Sequence, residues 1–204
     1  MSLRITRRSL LWLTTFLAGG VFANHAAART PQQTAGPFYP PPGQRFADDD
    51  TDLVKLDSAV RQAGGEILHL SGRVLSKGKP VANARVEIWQ CDVTGQYLHA
   101  GDRGPGGGDP NFQGYGKMMT KSDGVYAFRT IKPTAYPGRT PHIHVAITAP
   151  SSPPLITQFY VADDPRNLKD ILFRRLAVEA QAALEMVLVA DAEGEYRTIR
   201  DVFL

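Results

Sequence analysis

The residues best suited to chemistry lie in residues 136–144, Y-P-G-R-T-P-H-I-H. Successive side chains of an extended strand point to opposite faces, so His142 and His144 share one face and Ile143 points to the other. Two imidazoles on one face form a two-nitrogen metal site, although two histidines packed on a sheet leave the same pattern. The upstream Tyr136 and Arg139 favour the metal interpretation.

A second tyrosine, Tyr97, follows the turn D-V-T-G at residues 92–95 and offers another oxygen donor. A phenol has an ordinary pKa near 10, so only a strongly charged cation holds it as phenolate at neutral pH. Imidazoles combined with hard anionic oxygens favour ferric iron over zinc, which prefers Cys, His and carboxylate. The candidate Fe(III) ligands are Tyr97, Tyr136, His142 and His144, and spacing alone also allows them to be core residues.

The elements that position these residues are predicted to be short strands. The chain of 204 residues is long enough for one domain, and its 19 Gly and 15 Pro separate short apolar runs, which indicates an all-β domain with many turns. Strands are predicted at 67–75, 84–91, 125–129, 142–148 and 155–160. The first two flank the turn-forming residues 76–80 and are predicted to form a hairpin.

Two further elements are predicted towards the end of the chain. Leu168, Ile171, Leu172 and Arg175 have helical spacing, which predicts a short helical segment near 168–176. Residues 183–190 and 196–203, on either side of D-A-E-G-E, are predicted to form a closing hairpin.

Residues 1–28 are predicted to be an export signal. They combine a basic start, an apolar run at residues 10–23 that is short for a membrane span, and three consecutive alanines at 26–28. Residues 6–11, T-R-R-S-L-L, resemble a twin-arginine signal, which implies export of an already folded protein; a Sec signal is the alternative. We therefore expect a periplasmic or secreted protein without an integral membrane domain after signal removal, while retention of the signal as an anchor stays open.

The charge balance gives no reason to expect nucleic acid as a partner. Arg4, Arg7 and Arg8 are three of the 23 Lys and Arg residues, and all 20 Asp and Glu residues lie after the predicted signal. Removal of residues 1–28 thus leaves equal numbers of acids and bases, so electrostatics favour neither nucleic acid nor an anionic membrane surface. Cys91 is the only cysteine, which excludes an intramolecular disulfide.

Residues 29–65 are predicted to form an irregular N-terminal arm. The arm contains T-A-G-P-F-Y-P at 34–40, where a Gly-Pro turn precedes two aromatic side chains. Because these aromatic side chains need cover, we expect the arm to pack over the active site of the domain formed by residues 66–204.

Residues 70–158 closely resemble the intradiol ring-cleavage dioxygenases, the non-haem ferric enzymes that include catechol and protocatechuate dioxygenases. The matching pieces are L-S-G-R-V, V-A-N-A-R-V-E-I-W-Q-C-D-V-T-G-Q-Y-L-H, D-P-N-F-Q-G-Y-G, S-D-G-V-Y-A-F-R-T-I-K-P, A-Y-P-G-R-T-P-H-I-H and T-Q-F-Y, with T-A-G-P-F-Y-P upstream. The G-R-V and V-A-N-A-R-V-E-I pieces also resemble prealbumin-like domains, so the expected fold is a prealbumin-like β-sandwich.

The resemblance implies a role for each matched residue. Tyr97, Tyr136, His142 and His144 would be the ferric ligands, Arg139 would offset negative charge on the substrate, Gln158 would line the pocket, and Gly36, Pro37 and Phe38 would border the ring. It also implies a reaction of a small aromatic diol with O2, in which the ring opens between the two hydroxylated carbons to a muconate-type diacid. Tyr136 would leave the metal and accept a proton.

One departure and two alternatives remain. Only five residues separate Tyr136 from His142, fewer than in the cytoplasmic enzymes of the family, which leaves the choice of diol open. A non-catalytic prealbumin-like binding module would keep the fold without the activity. A periplasmic copper or zinc protein would use His142 and His144 alone. The sequence does not decide between a single chain and a homo-oligomer.

Overall fold

The computed structural model describes residues 28–57, 59–102, 107–150 and 152–204. These residues form two β-sheets packed face to face with a few short helical segments, so the predicted all-β sandwich is confirmed. The predicted export signal lies outside the described residues, apart from Ala28.

The strands are β1 Ile67–Ser76, β2 Lys79–Pro80, β3 Arg85–Trp89, β4 Tyr115–Met119, β5 Val125–Ile131, β6 His142–Thr148, β7 Leu155–Val161, β8 Glu185–Met186, β9 Val189–Ala190, β10 Tyr196–Ile199 and β11 Val202–Phe203. The α-helices are α1 Ile171–Arg174 and α2 Val178–Leu184, and 3-10 turns cover Pro42–Gln44, Ala100–Asp102 and Pro165–Leu168. No helix in the described part of the chain is long and apolar enough to cross a membrane.

The first sheet is built around β1. This strand pairs antiparallel with β5 along one edge and parallel with β10 and then β11 along the other. Between β10 and β11 the chain passes Arg200 close to Gly72, and the Tyr126 hydroxyl donates a hydrogen bond to the Arg200 carbonyl. The C-terminal strands are thereby fixed against the centre of the sheet.

The second sheet, in the order β4-β3-β6-β7-β8, carries the predicted metal-binding residues. Its register places Trp89 of β3 and Gln158 of β7 on either side of His144. His142 lies beside Tyr160 in the same way. Because directly paired residues project on the same face, these side chains form two short rows across the sheet.

Strand β6 is buried on both faces over all but its last residue. Its alternate residues Ile143, Val145 and Ile147 point into the hydrophobic core between the two sheets. On the opposite face a second buried cluster includes Trp89 and Tyr97 and packs against the N-terminal arm. The period-two pattern of a strand therefore separates the structural core from the site.

The predicted hairpin between residues 67–75 and 84–91 is wrong. β1 forms a hairpin only with the two-residue strand β2, and β3 lies in the other sheet. The turn residues Lys77 and Gly78 both have positive φ, as a two-residue hairpin loop with the right twist requires. The turn residues were therefore predicted correctly, but the apolar pattern of residues 84–91 does not specify which sheet that strand joins.

The closing hairpin is confirmed only in part. β9 and β10 pair antiparallel around the turn at 191–195, as expected. Residues 183 and 184, however, end the helix α2 rather than begin a strand. The segment V-E-A-Q-A-A-L contains mostly good helix formers. Its residues therefore form a helix up to Leu184, and strand β8 begins only at Glu185. The helical segment predicted near 168–176 is confirmed as the single turn α1.

Replacement of Gly72 by alanine is predicted to destabilise the fold. A Cβ at this position would overlap the Arg200 backbone carbonyl, which cannot move without shifting β10 or β11. Overpacking of this kind typically costs about 1–3 kcal/mol of the free energy of unfolding. The matched control is Gly43→Ala, because a Cβ at Gly43 meets nothing within 4 Å. Denaturant unfolding measures both, and equal stability of the two variants would contradict the close approach at Gly72.

Candidate metal centre

The structure brings the four predicted metal ligands together. The Nε2 atoms of His142 and His144 are 3.1 Å apart, and the Tyr97 hydroxyl lies 3.3 Å from the Nε2 of His142. The Tyr136 ring packs edge-on against the Tyr97 ring at 5.5 Å and lies 5.6 Å from the His142 ring. Donor atoms about 3 Å apart match the spacing of neighbouring ligands around one ion whose bonds are about 2.1 Å long.

Tyr97 is positioned by the turn that precedes it and the turn that follows it. The Asp92 carboxylate accepts hydrogen bonds from the backbone N–H groups of Thr94 and Gln96, and Gly95 adopts the positive φ that the turn requires. The backbone N–H of Tyr97 donates to Asp102 at 2.8 Å. These contacts hold the tyrosine against the second sheet, where it is almost fully buried.

Tyr136 and Arg139 stand at the two ends of a tight turn. Pro137 occupies the second position and Gly138, with φ of 82°, the third, which is the pattern of a type II turn. The backbone N–H of Arg139 donates to the Tyr136 carbonyl at 2.9 Å and closes the turn. The guanidinium Nη1 consequently lies 3.4 Å from the Tyr136 hydroxyl.

The guanidinium of Arg139 is held from two further sides. Its Nη2 donates to the Gln158 side-chain oxygen at 2.6 Å, and its Nε donates to Asp170 at 2.8 Å. Gln158 in turn donates to the Thr34 carbonyl in the N-terminal arm. The role of Asp170 was not predicted, since an aspartate before Ile171 suggests a helix cap and gives no sign of an arginine partner.

Both imidazoles are neutral and suited to bind a metal. The Nδ1 of His142 donates to the Thr140 carbonyl at 2.7 Å, which leaves the lone pair on Nε2. Burial and the positive charge of Arg139 lower the pKa of His142 to about 3. Burial and the neighbouring His142 lower the pKa of His144 well below its usual value. The His144 ring stacks on Trp89 with centroids 4.8 Å apart.

The two phenols are harder to ionise than free tyrosine. Burial raises the pKa of Tyr97 well above 10, and burial also raises the pKa of Tyr136 although Arg139 opposes this shift. A strongly charged cation is therefore needed to hold either residue as phenolate. Two imidazoles and two phenol oxygens fit a trivalent ion better than zinc, which prefers Cys, His and carboxylate.

The N-terminal arm lies directly against these side chains. Gly36 has a positive φ and sits so close to His144 that a Cβ would be 3.4 Å from the ring. Phe38 stacks on Tyr97 with centroids 5.1 Å apart, and Pro37 between the two is exposed. Of the three residues predicted to border the substrate ring, Gly36 and Phe38 thus lie against predicted metal ligands.

A buried hydrogen-bond network fastens the arm to the second sheet. The hydroxyl groups of Tyr39 and Tyr115 both donate to the Glu87 carboxylate, at 2.8 and 2.6 Å. Arg45 donates to both hydroxyl oxygens and lies over the Tyr115 ring. This network has no local sequence pattern that would predict it, because its members are separated by up to 70 residues.

An open cavity of about 290 Å³ adjoins the outer side of Tyr136 and Arg139. Its lining includes Thr140, Lys169 and Asp170. Tyr136 is the only one of the four predicted ligands that is not fully buried, and it is half-buried at this opening. Tyr136 and Arg139 therefore border open space on this side of the site.

Comparison with known proteins gives consistent matches. A family model described as Dioxygenase matches residues 34–194. The protocatechuate 3,4-dioxygenase beta chain of Burkholderia cepacia is 40% identical over 134 residues, which cover 61% of this chain and 57% of that protein. A hydroxyquinol 1,2-dioxygenase of Corynebacterium glutamicum is 29% identical over 68% of this chain and 53% of its own. The chain thus spans little more than half the length of these relatives.

Solved structures match over more of the chain. The dioxygenase domain of a dioxygenase carbohydrate-binding protein fusion from Streptomyces sp. SirexAA-E is 32% identical, with a TM-score of 0.67 over 87% of this chain and 98% of that domain. Catechol 1,2-dioxygenase from Acinetobacter sp. ADP1, at 24% identity and a TM-score of 0.64, shows the shared fold. Since the family model covers most of the chain, this protein belongs to the intradiol ring-cleavage dioxygenase family.

Proposed function

We propose that this protein is a non-haem ferric dioxygenase that opens the ring of a catechol-type diol between its two hydroxylated carbons. The observation that carries the proposal is the convergence of two imidazole nitrogens and two tyrosines beside a fixed arginine. Relatives named for protocatechuate, catechol and hydroxyquinol support a diol as substrate.

Fe(III) is the proposed cofactor, held by Tyr97, Tyr136, His142 and His144. The neutral imidazoles supply lone pairs, and the high pKa of both phenols calls for a strongly charged ion. A ferric ion held there would supply Lewis acidity and would take up charge from a diol, which would make the ring reactive towards O2.

The two tyrosines have different proposed roles because they are buried to different degrees. Tyr97 is nearly inaccessible and stacks against Phe38, so it stays in place throughout the reaction. Tyr136 borders the open cavity and has a raised pKa. Its phenolate is thus a strong base, and its oxygen accepts the proton of an incoming diol hydroxyl.

Arg139 is the proposed electrostatic group. Its guanidinium lies next to the Tyr136 hydroxyl, and the bonds to Asp170 and Gln158 orient it before substrate arrives. A preorganised positive charge of this kind offsets negative charge on the activated ring. One diol and one O2 give one muconate-type diacid, as the bond between the oxygen-bearing carbons breaks and both oxygen atoms enter the product.

Substitution of Tyr97 tests the metal site. Ferric phenolate produces a strong visible band, so iron-loaded Tyr97→Phe is expected to lose much of the colour of the wild-type protein. The matched control is Tyr196→Phe, because Tyr196 lies in the first sheet with its hydroxyl near Glu66 and Lys132. Absorption spectra and iron analysis check this, and an unchanged Tyr97→Phe spectrum would remove Tyr97 from the ligand set.

Oxygen uptake tests the reaction. The iron-loaded protein is expected to consume one O2 per diol with at least one of catechol, protocatechuate, hydroxyquinol and gallate. Arg139→Ala should lower kcat by about 100-fold or more, as removal of a preorganised charge-stabilising group does. Arg73→Ala is the control, since Arg73 is exposed and pairs with Asp201 away from the site. No uptake with any diol would favour the non-catalytic binding module.

We further propose that residues 1–28 direct export through the twin-arginine route to the periplasm or the exterior. The proposal rests on the sequence pattern alone, T-R-R-S-L-L followed by a short apolar run. Replacement of Arg7 and Arg8 by lysine should leave the full-length protein in the cytoplasm of a Gram-negative host, because the receptor recognises the arginine pair. Cell fractionation measures this, and unimpaired export would indicate a Sec signal.

A further inference from the structure

Asp170 is a buried carboxylate to which the proposed reaction gives no direct role. Its side chain has no exposed surface, and each of its oxygens accepts two hydrogen bonds. Oδ1 accepts from the backbone N–H groups of Leu172 and Phe173, at 2.8 and 3.1 Å, and so caps α1. Oδ2 accepts from the Nε of Arg139 at 2.8 Å and from the backbone N–H of Thr140 at 2.9 Å.

The two residues bound by Oδ2 lead directly into the proposed metal centre. Arg139 places its Nη1 beside the Tyr136 hydroxyl and its Nη2 on Gln158. The Thr140 peptide binds Asp170 through its N–H, and the Thr140 carbonyl accepts the Nδ1 proton of His142. Oδ2 of Asp170 therefore contacts the Arg139 guanidinium directly. It is also connected, through Thr140, to the predicted metal ligand His142.

We propose that Asp170 is a positioning residue that fixes the guanidinium of Arg139 relative to the imidazole of His142. This inference rests on the proposed function and adds a residue to it. Arginine is long and adopts many rotamers, and anchorage at Nε leaves only the two terminal nitrogens facing the site. The same oxygen accepts from the backbone N–H of Thr140, and the carbonyl of that residue sets the tautomer of His142, as carbonyls behind metal-binding histidines do.

The charge of Asp170 suits this role. Burial raises its pKa, but the hydrogen bonds from Thr140, Phe173 and Arg139 outweigh burial and lower it, so the group is ionised at neutral pH. The ionised carboxylate balances the buried guanidinium and keeps it in place when the site is empty. A neutral cap for α1 would serve the helix alone, and such a cap would not hold Arg139.

Asp164 is a natural control for a purely structural role. It caps the 3-10 turn Pro165–Leu168 through the backbone N–H of Arg166 and forms an ion pair with the same residue. It lies six residues before Asp170 but contacts neither Arg139 nor Thr140. Asp164→Asn thus makes the same chemical change in the same segment without removing a hydrogen-bond partner of Arg139 or Thr140.

The central test compares Asp170→Asn with Asp164→Asn. The side-chain oxygen of asparagine can accept hydrogen bonds either from the N–H groups of the helix or from Arg139 and Thr140. Its NH2 group then faces the other pair of N–H donors and cannot accept a hydrogen bond from them. We expect Asp170→Asn to lower kcat of the iron-loaded enzyme by about 10- to 100-fold, the usual effect of losing a group behind a metal ligand. KM should change less than threefold, because the Asp170 carboxylate has no exposed surface that a diol could contact. Asp164→Asn should retain wild-type kcat.

A second measurement does not depend on catalysis. In metal-free, ¹⁵N-labelled protein the Arg139 Nε–H and His142 Nδ1–H signals should be protected from solvent exchange in wild type and in Asp164→Asn. Both signals should broaden or disappear in Asp170→Asn. If that variant does not fold, Asp170→Ser replaces it, since serine is a good helix cap that cannot reach Arg139 with a charge.

The outcomes separate the two proposals. Wild-type kcat together with protected Arg139 and His142 signals in Asp170→Asn or Asp170→Ser would overturn the positioning role and leave a helix cap. Failure of the wild-type, iron-loaded protein to consume O2 with any diol would overturn the proposed function instead. In that case the metal-free NMR comparison still decides whether Asp170 fixes Arg139 and His142.

Discussion

The structure depends on the burial of several polar side-chain tips at one point. His142, His144 and Tyr97 are almost entirely removed from water, and the Nε2 of His142 lies 3.1 Å from the Nε2 of His144 and 3.3 Å from the Tyr97 hydroxyl. Buried polar groups without partners are costly, so such an arrangement persists only where the surrounding structure holds it. The second sheet, the Pro-Gly turn and the arm each hold one part of it. The donor atoms are thus concentrated where a highly charged cation would satisfy them all.

The sandwich makes this burial possible through the two faces of β6. Ile143, Val145 and Ile147 contribute to the core between the sheets and anchor the strand. His142 and His144 then face outwards, and without the arm they would be exposed to water. Gly36 and Phe38 lie against His144 and Tyr97, while the Glu87 network holds Tyr39 in place next to them. The arm therefore completes a second buried layer over the sheet.

Differences in burial divide the site into an enclosed part and an accessible part. Tyr97 and the two imidazoles are enclosed, whereas Tyr136 and Arg139 sit on a turn beside an open cavity. Arg139 carries a charge in a largely desolvated position, and the fully buried Asp170 balances that charge. The proposed reaction uses this asymmetry, because the accessible tyrosine is the one that accepts a proton from the diol.

Much of the site follows from the sequence by itself. The H-I-H alternation places two imidazoles on one strand face, the D-V-T-G turn ends at Tyr97, and P-G between Tyr136 and Arg139 specifies a tight turn. These features are local, since the backbone periods and turn preferences that produce them act over a few residues. The all-β class and the hairpin at 189–199 were predictable for the same reason.

Only the tertiary structure decided which distant groups meet. The apolar run at 84–91 fits either sheet by its pattern, and its placement beside β6 rather than β1 depends on packing of the whole core. Asp170 meets Arg139 across 31 residues, and Tyr39 meets Glu87 across 48. No local sequence pattern identifies the partner of a single aspartate or glutamate. The contacts that hold the predicted residues in place therefore arise from long-range packing.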